Sequence, residues 1–524
     1  MIKKICFTFI LSILCFPINA FCAENIFSFL NENQIKNLQQ LIKQGEDINV
    51  KDEDGSTPLM YAASKGEVSV MQLLIKSKAD INAQNKDGNT PLIFAVSSGN
   101  LEAVKLLIKN KANIEQSNNK GNTPLFIAVL TGSTEMTNYL ISQKAKINIF
   151  NNDDVSPIMA ATIKNDINML QLLVKSGALI DKENRDNINV FFTACVSGNK
   201  NIIKYLVSEG ADTQKTAKGQ ITPLMVCSAV GSLDTVKFLV EELKENINKK
   251  DSDGNNALMY ALSFSFTDDI IGKVIKFVYK LNSESEEEQI EFIKNVKDRN
   301  PDIPRYLIEK GININDVNKN GYNAFIIAIL ENDIQNAKYL ISNGANVNQK
   351  DINGDNALLL SIKNWNFNTF NFLVDFGMDI NMADNEDRTP LICALEEGNF
   401  DMANKLLSMS KLNVNKTDKK GKNQLMYAAS CGSLIAIKKL VNNGVNINAK
   451  DKDGNTALMY AVMSGNIAIV EALVNLKADI TIKNKKDQTA QDIAKSYKDD
   501  EQYAKIDAYF EGLNKTNNKS SKKK

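Results

Sequence analysis

The sequence predicts an all-α repeat protein, a solenoid of about fifteen helix-turn-helix units joined by β-turn fingers, and three observations predict it. A Thr-Pro pair recurs at intervals of 33 residues. Each pair opens two short apolar patterns with helical spacing. The composition, with 9 Pro and 26 Gly among 524 residues and an apolar set rich in Leu, Ile, Val and Ala, favours helix over barrel or disorder. A chain of this length exceeds one compact core, so modularity is expected in any case.

The period is read from Thr57-Pro58, Thr90-Pro91, Thr123-Pro124 and Ser156-Pro157, then Asn189-Val190 in degraded form and Thr222-Pro223. The same place then holds Asn256-Ala257, Asn323-Ala324, Asn356-Ala357, Thr389-Pro390, Asn423-Gln424, Thr456-Ala457 and Thr489-Ala490. One step, from Asn256 to Asn323, is twice the usual length, which predicts a cryptic unit inside it. Within the third unit, Asn85-Lys86-Asp87-Gly88-Asn89 reads as a turn, with Gly88 free to take positive φ. Thr90 offers a capping hydroxyl, and Pro91 stands at the first helical position, where its missing N–H is harmless. Leu92, Phe94, Ala95 and Val96 give the first helix an apolar face. Ser97-Ser98-Gly99-Asn100 breaks it, and Leu101, Val104, Leu106, Leu107 and Ile108 mark a second. Helices this short are marginal alone, so neighbouring units must bury them.

These residues resemble the ankyrin repeat, carried by Asp54-Gly55-Ser56-Thr57-Pro58-Leu59-Met60-Tyr61-Ala62-Ala63-Ser64-Lys65-Gly66 and again by Gly454-Asn455-Thr456-Ala457-Leu458-Met459-Tyr460-Ala461, over residues 24 to about 513. The resemblance implies a protein-binding surface on fingertips and first helices. In register, it places recognition at Lys86, Asp87, Asn89, Ser97 and Ser98 in the third unit, and at Asn119, Lys120, Asn122, Leu130 and Thr131 in the fourth. One departure is systematic: where the family has His, this chain has Met60, Ile93, Phe126, Met159, Met225, Met259, Ile326, Leu359, Ile392, Met426 or Met459. An apolar spine is expected there. Lys78, Lys111, Lys144 and Lys477 stand where a helix-ending Gly is common, at about 1 kcal/mol each.

The expected organisation is a secretory leader over 1–22, a capping repeat over 23–56, repeats over 57–263, degenerate repeats over 264–322, repeats with a C-terminal cap over 323–513, and a disordered basic tail over 514–524. The leader rests on Lys3 and Lys4, a 12-residue apolar run over 5–16, Pro17 and the small residues around Ala20 and Ala23. That run is too short to span a bilayer, and a lipid-anchored Cys15 or Cys22 is disfavoured by the bulky Leu14 and Phe21 before them. Export, to periplasm, cell surface or medium, is the expectation. Over 264–322, a second helix is expected at 268–281, a first helix around Ile290, Phe292, Ile293 and Val296, and a second helix opened by Pro304. A degenerate repeat is the plainer reading, a hinge or partner-specific insertion the other.

Composition also excludes. The chain contains no histidine, which removes imidazole bases, Ser-His and Cys-His nucleophiles and His-ligated metals. Taking Lys3 and Lys4 away with the leader, and five lysines with the tail, turns a formal charge of zero into −7, which argues against nucleic acid. Cys195, Cys227, Cys393 and Cys431 fall in first helices of different units, about 8–10 Å apart at the nearest, so they are expected as buried thiols rather than disulfides. Asp52-Glu53-Asp54-Gly55 and Asp451-Lys452-Asp453-Gly454 lack the glycine and glutamate spacing of a calcium loop. No catalytic residue, cofactor or metal site is expected. Trp365, the sole Trp, replaces a turn glycine near Phe367, Phe370, Phe372 and Phe376, with Phe370 and Phe372 in core register; it is a candidate partner contact or a packed turn residue. The functional expectation is a scaffold holding a protein partner. A self-assembling surface protein is the alternative and an enzyme a remote one. The polar ends Asn31, Glu32, Asn33, Lys36 and Asn37, and Lys498, Asp499, Asp500, Glu501 and Gln502, predict capped termini and a monomer.

Overall fold

The computed structural model describes residues 26–230, 232–263, 302–497 and 500–521, with side chains as far as 515. The leader expected over 1–22, with Cys15 and Cys22, the helices expected at 268–281 and 290–296, and Lys498 and Asp499 lie outside the described residues. The chain divides into two compact bodies, Met1–Asn184 and Arg185–Lys524.

The first body holds five repeats. An opening unit of two 3₁₀ turns, Ile26–Phe29 and Glu32–Gln34, with helix Ile35–Gln44 precedes four helix pairs: Pro58–Lys65 with Val68–Lys76, Pro91–Ser97 with Leu101–Lys109, Pro124–Leu130 with Thr134–Ser142, and Pro157–Ile163 with Ile167–Lys175. The first helices begin as the residues dictate. The Thr90 and Thr123 hydroxyls accept from the amides of Ile93 and Phe126 at 3.2 and 3.3 Å. The second helices end in left-handed residues, and Lys78, Lys111 and Lys144 take φ of 75°, 71° and 68° where the equivalent Gly177 takes 96°. Leu59, Leu74, Leu92, Leu107, Leu125 and Leu140 share one core, almost fully shielded from solvent. Each such side chain contributes about 1.5–3 kcal/mol, and truncating Leu92 or Leu107 to Ala would open a cavity between two layers.

The second body holds nine repeats, opened by Val190–Ser197 with Lys200–Ser208 and closed by Ala490–Ser496 with Glu501–Ser521. Where Thr-Pro is missing, Asn takes over the cap: Asn256, Asn323, Asn356 and Asn423 accept from the amides of Met259, Ile326, Leu359 and Met426 at 2.9–3.1 Å. The Asn-Ala pairs are therefore full replacements for the Thr-Pro signal. The 34-residue step from Thr222 to Asn256 is absorbed by a π-helical turn, Phe238–Glu242, which accommodates one extra residue without disturbing the next finger.

The double step from Asn256 to Asn323 is resolved differently from expectation. The Lys319 amide donates to the Asp253 carbonyl at 2.7 Å, the Asn318 side-chain amide donates to Asn255 Oδ1 at 2.9 Å, and the Asn313 amide donates to Asn248 Oδ1 at 2.9 Å. Elsewhere these bonds join adjacent fingers, as Lys86 to Asp54 and Asn118 to Asn89 do. Fingers 251–255 and 318–322 are thus immediate neighbours, with no layer between them. Helix Asp302–Glu309 packs against Ala257–Leu262 as the second helix of that same repeat. The described residues therefore form five layers in the first body and nine in the second, and residues 264–301, which lie outside the described residues, fall in the chain between the two helices of one repeat. Periodicity cannot distinguish this from a cryptic unit, because an insertion of nearly one period keeps the register.

Two ends complete the fold. Asn33, Lys36 and Asn37 are exposed on the opening unit, as are Asp500, Glu501 and Gln502 on the closing one. The last helix continues through Ser521, past position 514 where order was expected to end; no Pro or Gly follows Gly512 to stop it.

The spine positions are buried throughout, with Met60, Met225, Met259, Met426 and Met459 at 1% exposure or less. Three of these sulfurs also accept backbone amides: Thr57 to Met60 at 3.3 Å, Thr222 to Met225 at 3.4 Å and Asn423 to Met426 at 3.4 Å. Methionine here fills the core and weakly caps the helix start.

Candidate functional site

Fingers are built the same way in both bodies. An Asx residue at the turn start accepts from the amides two and four residues on, as Asn85 does from Asp87 and Asn89 and Asp451 does from Asp453 and Asn455. Where that residue is Asp and the first helix supplies a Tyr nine positions later, the phenol donates to the second carboxylate oxygen. Tyr61 to Asp52, Tyr260 to Asp251, Tyr427 to Asp418 and Tyr460 to Asp451 all lie at 2.7–2.8 Å. The Asp52 and Asp451 carboxylates are committed to turn and phenol, which explains the acidic fingers without calcium. The phenols of Tyr61, Tyr427 and Tyr460 are raised above their ordinary range, in Tyr61 first by the carboxylate it contacts, in Tyr427 and Tyr460 mainly by burial and then by that carboxylate.

In the first body the expected recognition residues fall into two groups. Lys86, Asp87, Ser97 and Lys120 are exposed with no side-chain hydrogen bond to the repeat, Leu130 is half-buried, and Ser98, Asn119 and Thr131 are exposed but hydrogen-bonded. The others are engaged. Asn89 and Asn122 accept from the side-chain amides of Asn118 and Asn151, Asn119 donates to the Lys86 carbonyl, and Ser98 and Thr131 donate to helix carbonyls. Asn89 and Asn122 are rungs of a ladder between fingers rather than open contacts, because the finger-to-finger spacing brings each within reach of the next turn.

In the second body the same face carries a charged network that the sequence reading did not single out. Asp355, Arg388 and Lys422 occupy the place of Asn89, and Lys363 and Glu396 that of Ser97. Lys363 lies 2.7 Å from Asp355 and 3.6 Å from Asp384; Arg388 lies 2.8 Å from Asp384 and 3.0 Å from Glu396. Burial pushes the Asp384 carboxyl up, but the amides of Arg388 and Glu386 and the guanidinium more than offset this and hold it below the usual range. At Asp355 burial wins and the carboxyl is raised. Lys422 is half-buried, its ammonium 4.0 and 4.3 Å from the ring centroids of Tyr427 and Tyr460, and burial lowers its pKa despite Glu396, Asp418 and Asp451 nearby. The signal was present: writing the Asn89 position down the chain gives Asp355, Arg388, Lys422, three charges where the fold needs none.

A family model described as ankyrin repeats in three copies matches residues 26–118, 110–186, 159–251, 191–282, 274–351, 348–418 and 404–484. The chain belongs to the ankyrin-repeat family. No curated protein matches it. Ankyrin repeats mediate protein–protein interaction and are typically non-catalytic, so protein partners follow from membership. Among the described residues of this ankyrin chain, no helix is long and apolar enough to cross a membrane.

Three further expectations can be placed on the ankyrin frame. Cys195, Cys227 and Cys393 are buried free thiols and Cys431 is a half-buried one, with Cys393 pushed up to about 12 chiefly by burial. Trp365 is 57% exposed at φ +55°, in the turn between Ala357–Lys363 and Phe367–Phe376. Phe370 is in the core, whereas Phe372 is only half-buried, tilted against Phe376 with ring centroids 6.3 Å apart and under the Lys338 ammonium. The helix turns so that Leu373, not Phe372, faces the core.

Glu245 was not anticipated. It stands where other repeats place Ala112, Ala145, Ala178 or Ile312, and it is 5% exposed. One carboxylate oxygen accepts from the Leu224 amide at 3.3 Å, and the other has no partner. Burial raises its pKa to about 7.

Proposed function

We propose that this chain is an exported, monomeric scaffold that holds a protein partner on its finger and first-helix face and performs no catalysis. The network of Lys363, Asp384, Arg388, Glu396 and Lys422 carries the reading. Its charged ends stand on the surface that ankyrin repeats use for recognition, at places where neighbouring repeats fold with Asn, Ser or Leu. Ordered charges of alternating sign favour a partner of complementary pattern and fix its register more than they add affinity. The absence of histidine from the whole sequence supports the non-catalytic part, the net charge outside leader and tail speaks against nucleic acid, and the leader supports export. Affinity capture of the mature protein from its own compartment tests the reading. A species retained by the native chain and lost with Arg388→Ala plus Lys422→Ala, or with Lys86→Glu plus Lys120→Glu, supports it and locates the face. Retention unchanged by both double variants sinks it. A mature N-terminus near Ala23, read by N-terminal sequencing, supports export; an intact leader on the accumulated protein opposes it.

A further inference from the structure

Charge is divided along the chain. Residues 23–399 hold 38 basic and 49 acidic residues, whereas 400–514 hold 17 and 13, so the sign reverses within the second body. The reversal falls between adjacent repeats. Residues 351–397 carry nine acids and two basic residues, 398–410 one of each, Asp401 and Lys405, and 411–497 fourteen lysines and seven acids.

Five of those seven acids are already engaged. Asp418 and Asp451 accept from their finger amides and from the phenols of Tyr427 and Tyr460. Asp479 and Asp492 accept from Thr481 and Thr489, and Asp487 holds Lys483 at 3.0 Å. Asp453 and Glu471 are left, and Glu471 is on a second helix, not on a finger. Of the fourteen lysines, only Lys483 and Lys419, the latter 3.9 Å from Glu386, lie within 4.0 Å of a carboxylate among the described residues.

The unpaired lysines gather at the fingertips. The Lys452 amide donates to the Lys420 carbonyl and the Lys485 amide to the Asp453 carbonyl, both at 2.9 Å, so three tips stand edge to edge. Lys420, Lys452, Lys485 and Lys486 are exposed there, against Asp453 as the one acid on these tips without a partner among the described residues. Helices Gln424–Cys431 and Ala457–Met463 behind them contain no charged residue, so nothing on that side neutralises the tips.

We propose that the last three fingertips bind an acidic segment of the partner protein, its carboxylates meeting Lys420, Lys452 and Lys485. This rests on the finger-face reading and adds to it the partner's charge and the repeats that meet it. The acidic stretch 351–397 alongside repels a polyanion that runs on along the fingers. Three tips spanning roughly 20 Å therefore suit a short acidic segment and not a nucleic-acid strand.

The full chain, at about 0.1 M salt, is titrated into a fluorescein-labelled peptide of about twelve Glu and Ser residues and into its Lys and Ser counterpart, with anisotropy as the readout. A saturable rise is expected with the Glu/Ser peptide, at least about tenfold weaker for Lys420→Glu, Lys452→Glu plus Lys485→Glu. Lys76→Glu, Lys109→Glu plus Lys175→Glu, the same charge change on second helices of the first body, should stay within about twofold of the native chain. All six lysines are exposed, and far-UV circular dichroism confirms that each variant is folded. Equal weakening by the two triple variants, equal binding of the two peptides, or tighter binding of a dT oligonucleotide or of phosphatidylglycerol vesicles would overturn the proposal. Loss with Lys522→Glu, Lys523→Glu plus Lys524→Glu but not with the fingertip variant would place the peptide on the C-terminal lysines and overturn it too. So would a concentration-dependent rise in mass by light scattering that the fingertip variant removes, because the acidic repeats of a second copy would then be the occupant. A partner captured through Arg388 and Lys422, with no binding of the Glu/Ser peptide, would leave the finger-face reading standing and remove this one alone.

Discussion

The first body keeps its repeat register almost without exception, and the second breaks it repeatedly. In the first, the residues at the finger ends are Asn89 and Asn122, tied into a neutral ladder, and the small buried position after each second helix is Ala112, Ala145 or Ala178. In the second, the finger ends become Asp355, Arg388 and Lys422, the small position becomes Glu245, a turn glycine becomes Trp365, and one repeat is split at 263–302. A solenoid tolerates such departures because each repeat contributes stability through its nearest neighbours. Departures that charge or roughen a surface without serving packing are the ones the repeat itself does not require.

The largest expected effect that breaks this symmetry is at Glu245. Its pKa rises from 4.5 to about 7 on folding because burial penalises the carboxylate, opposed by the Leu224 amide, the Thr222 hydroxyl and the more distant Lys249. Below pH 4.5 the group is protonated in both states and the stabilising contribution is complete; it is lost as pH rises through 7. The shift corresponds to about 3 kcal/mol. Denaturant unfolding followed by Trp365 should therefore show the second body more stable at pH 5 than at pH 8, with Glu245→Gln removing most of the difference. Cys227, which faces the same cluster, stays a thiol across that range because burial raises it.

Next in size is Asp384→Ala, which leaves Arg388 without its closest carboxylate and the Glu386 and Arg388 amides without an acceptor. A loss of about 2 kcal/mol in chemical denaturation is expected. The equivalent Asn85→Ala in the first body should cost about 1 kcal/mol, since no buried charge is stranded. Equal losses would show that the network is only a finger turn.

Smaller still, and opposite in sign, Trp365→Gly should stabilise the second body by about 1 kcal/mol in thermal unfolding, because the left-handed turn suits Gly. A destabilised variant would mean that Trp365 packs the turn. Smallest of all, Lys86→Ala plus Asp87→Ala should leave stability within about 0.5 kcal/mol, both side chains being exposed.

Much of the molecule is legible in its 33-residue unit. Caps at Thr90 and Thr123, left-handed Lys78 and Lys111, and the buried methionine spine all follow from hydrogen bonds and packing that each unit and its adjacent neighbour contain. The site was less legible. Lys86 and Lys120 are exposed as expected, but Asn89 and Asn122 are engaged in a ladder that exists only once fingers stack, and the charged strip from Asp355 to Lys422 shows itself only down a column of repeats.

By itself, then, the sequence determined the period, the helix boundaries and the apolar stripes, because those are set by propensities and spacings over a few residues. Only the tertiary structure decided which fingers adjoin across 264–301, that Glu245 is buried with one oxygen unpartnered, and that Trp365 stands out from a glycine turn. Those outcomes depend on which surfaces meet, and a side chain's burial is a property of its neighbours.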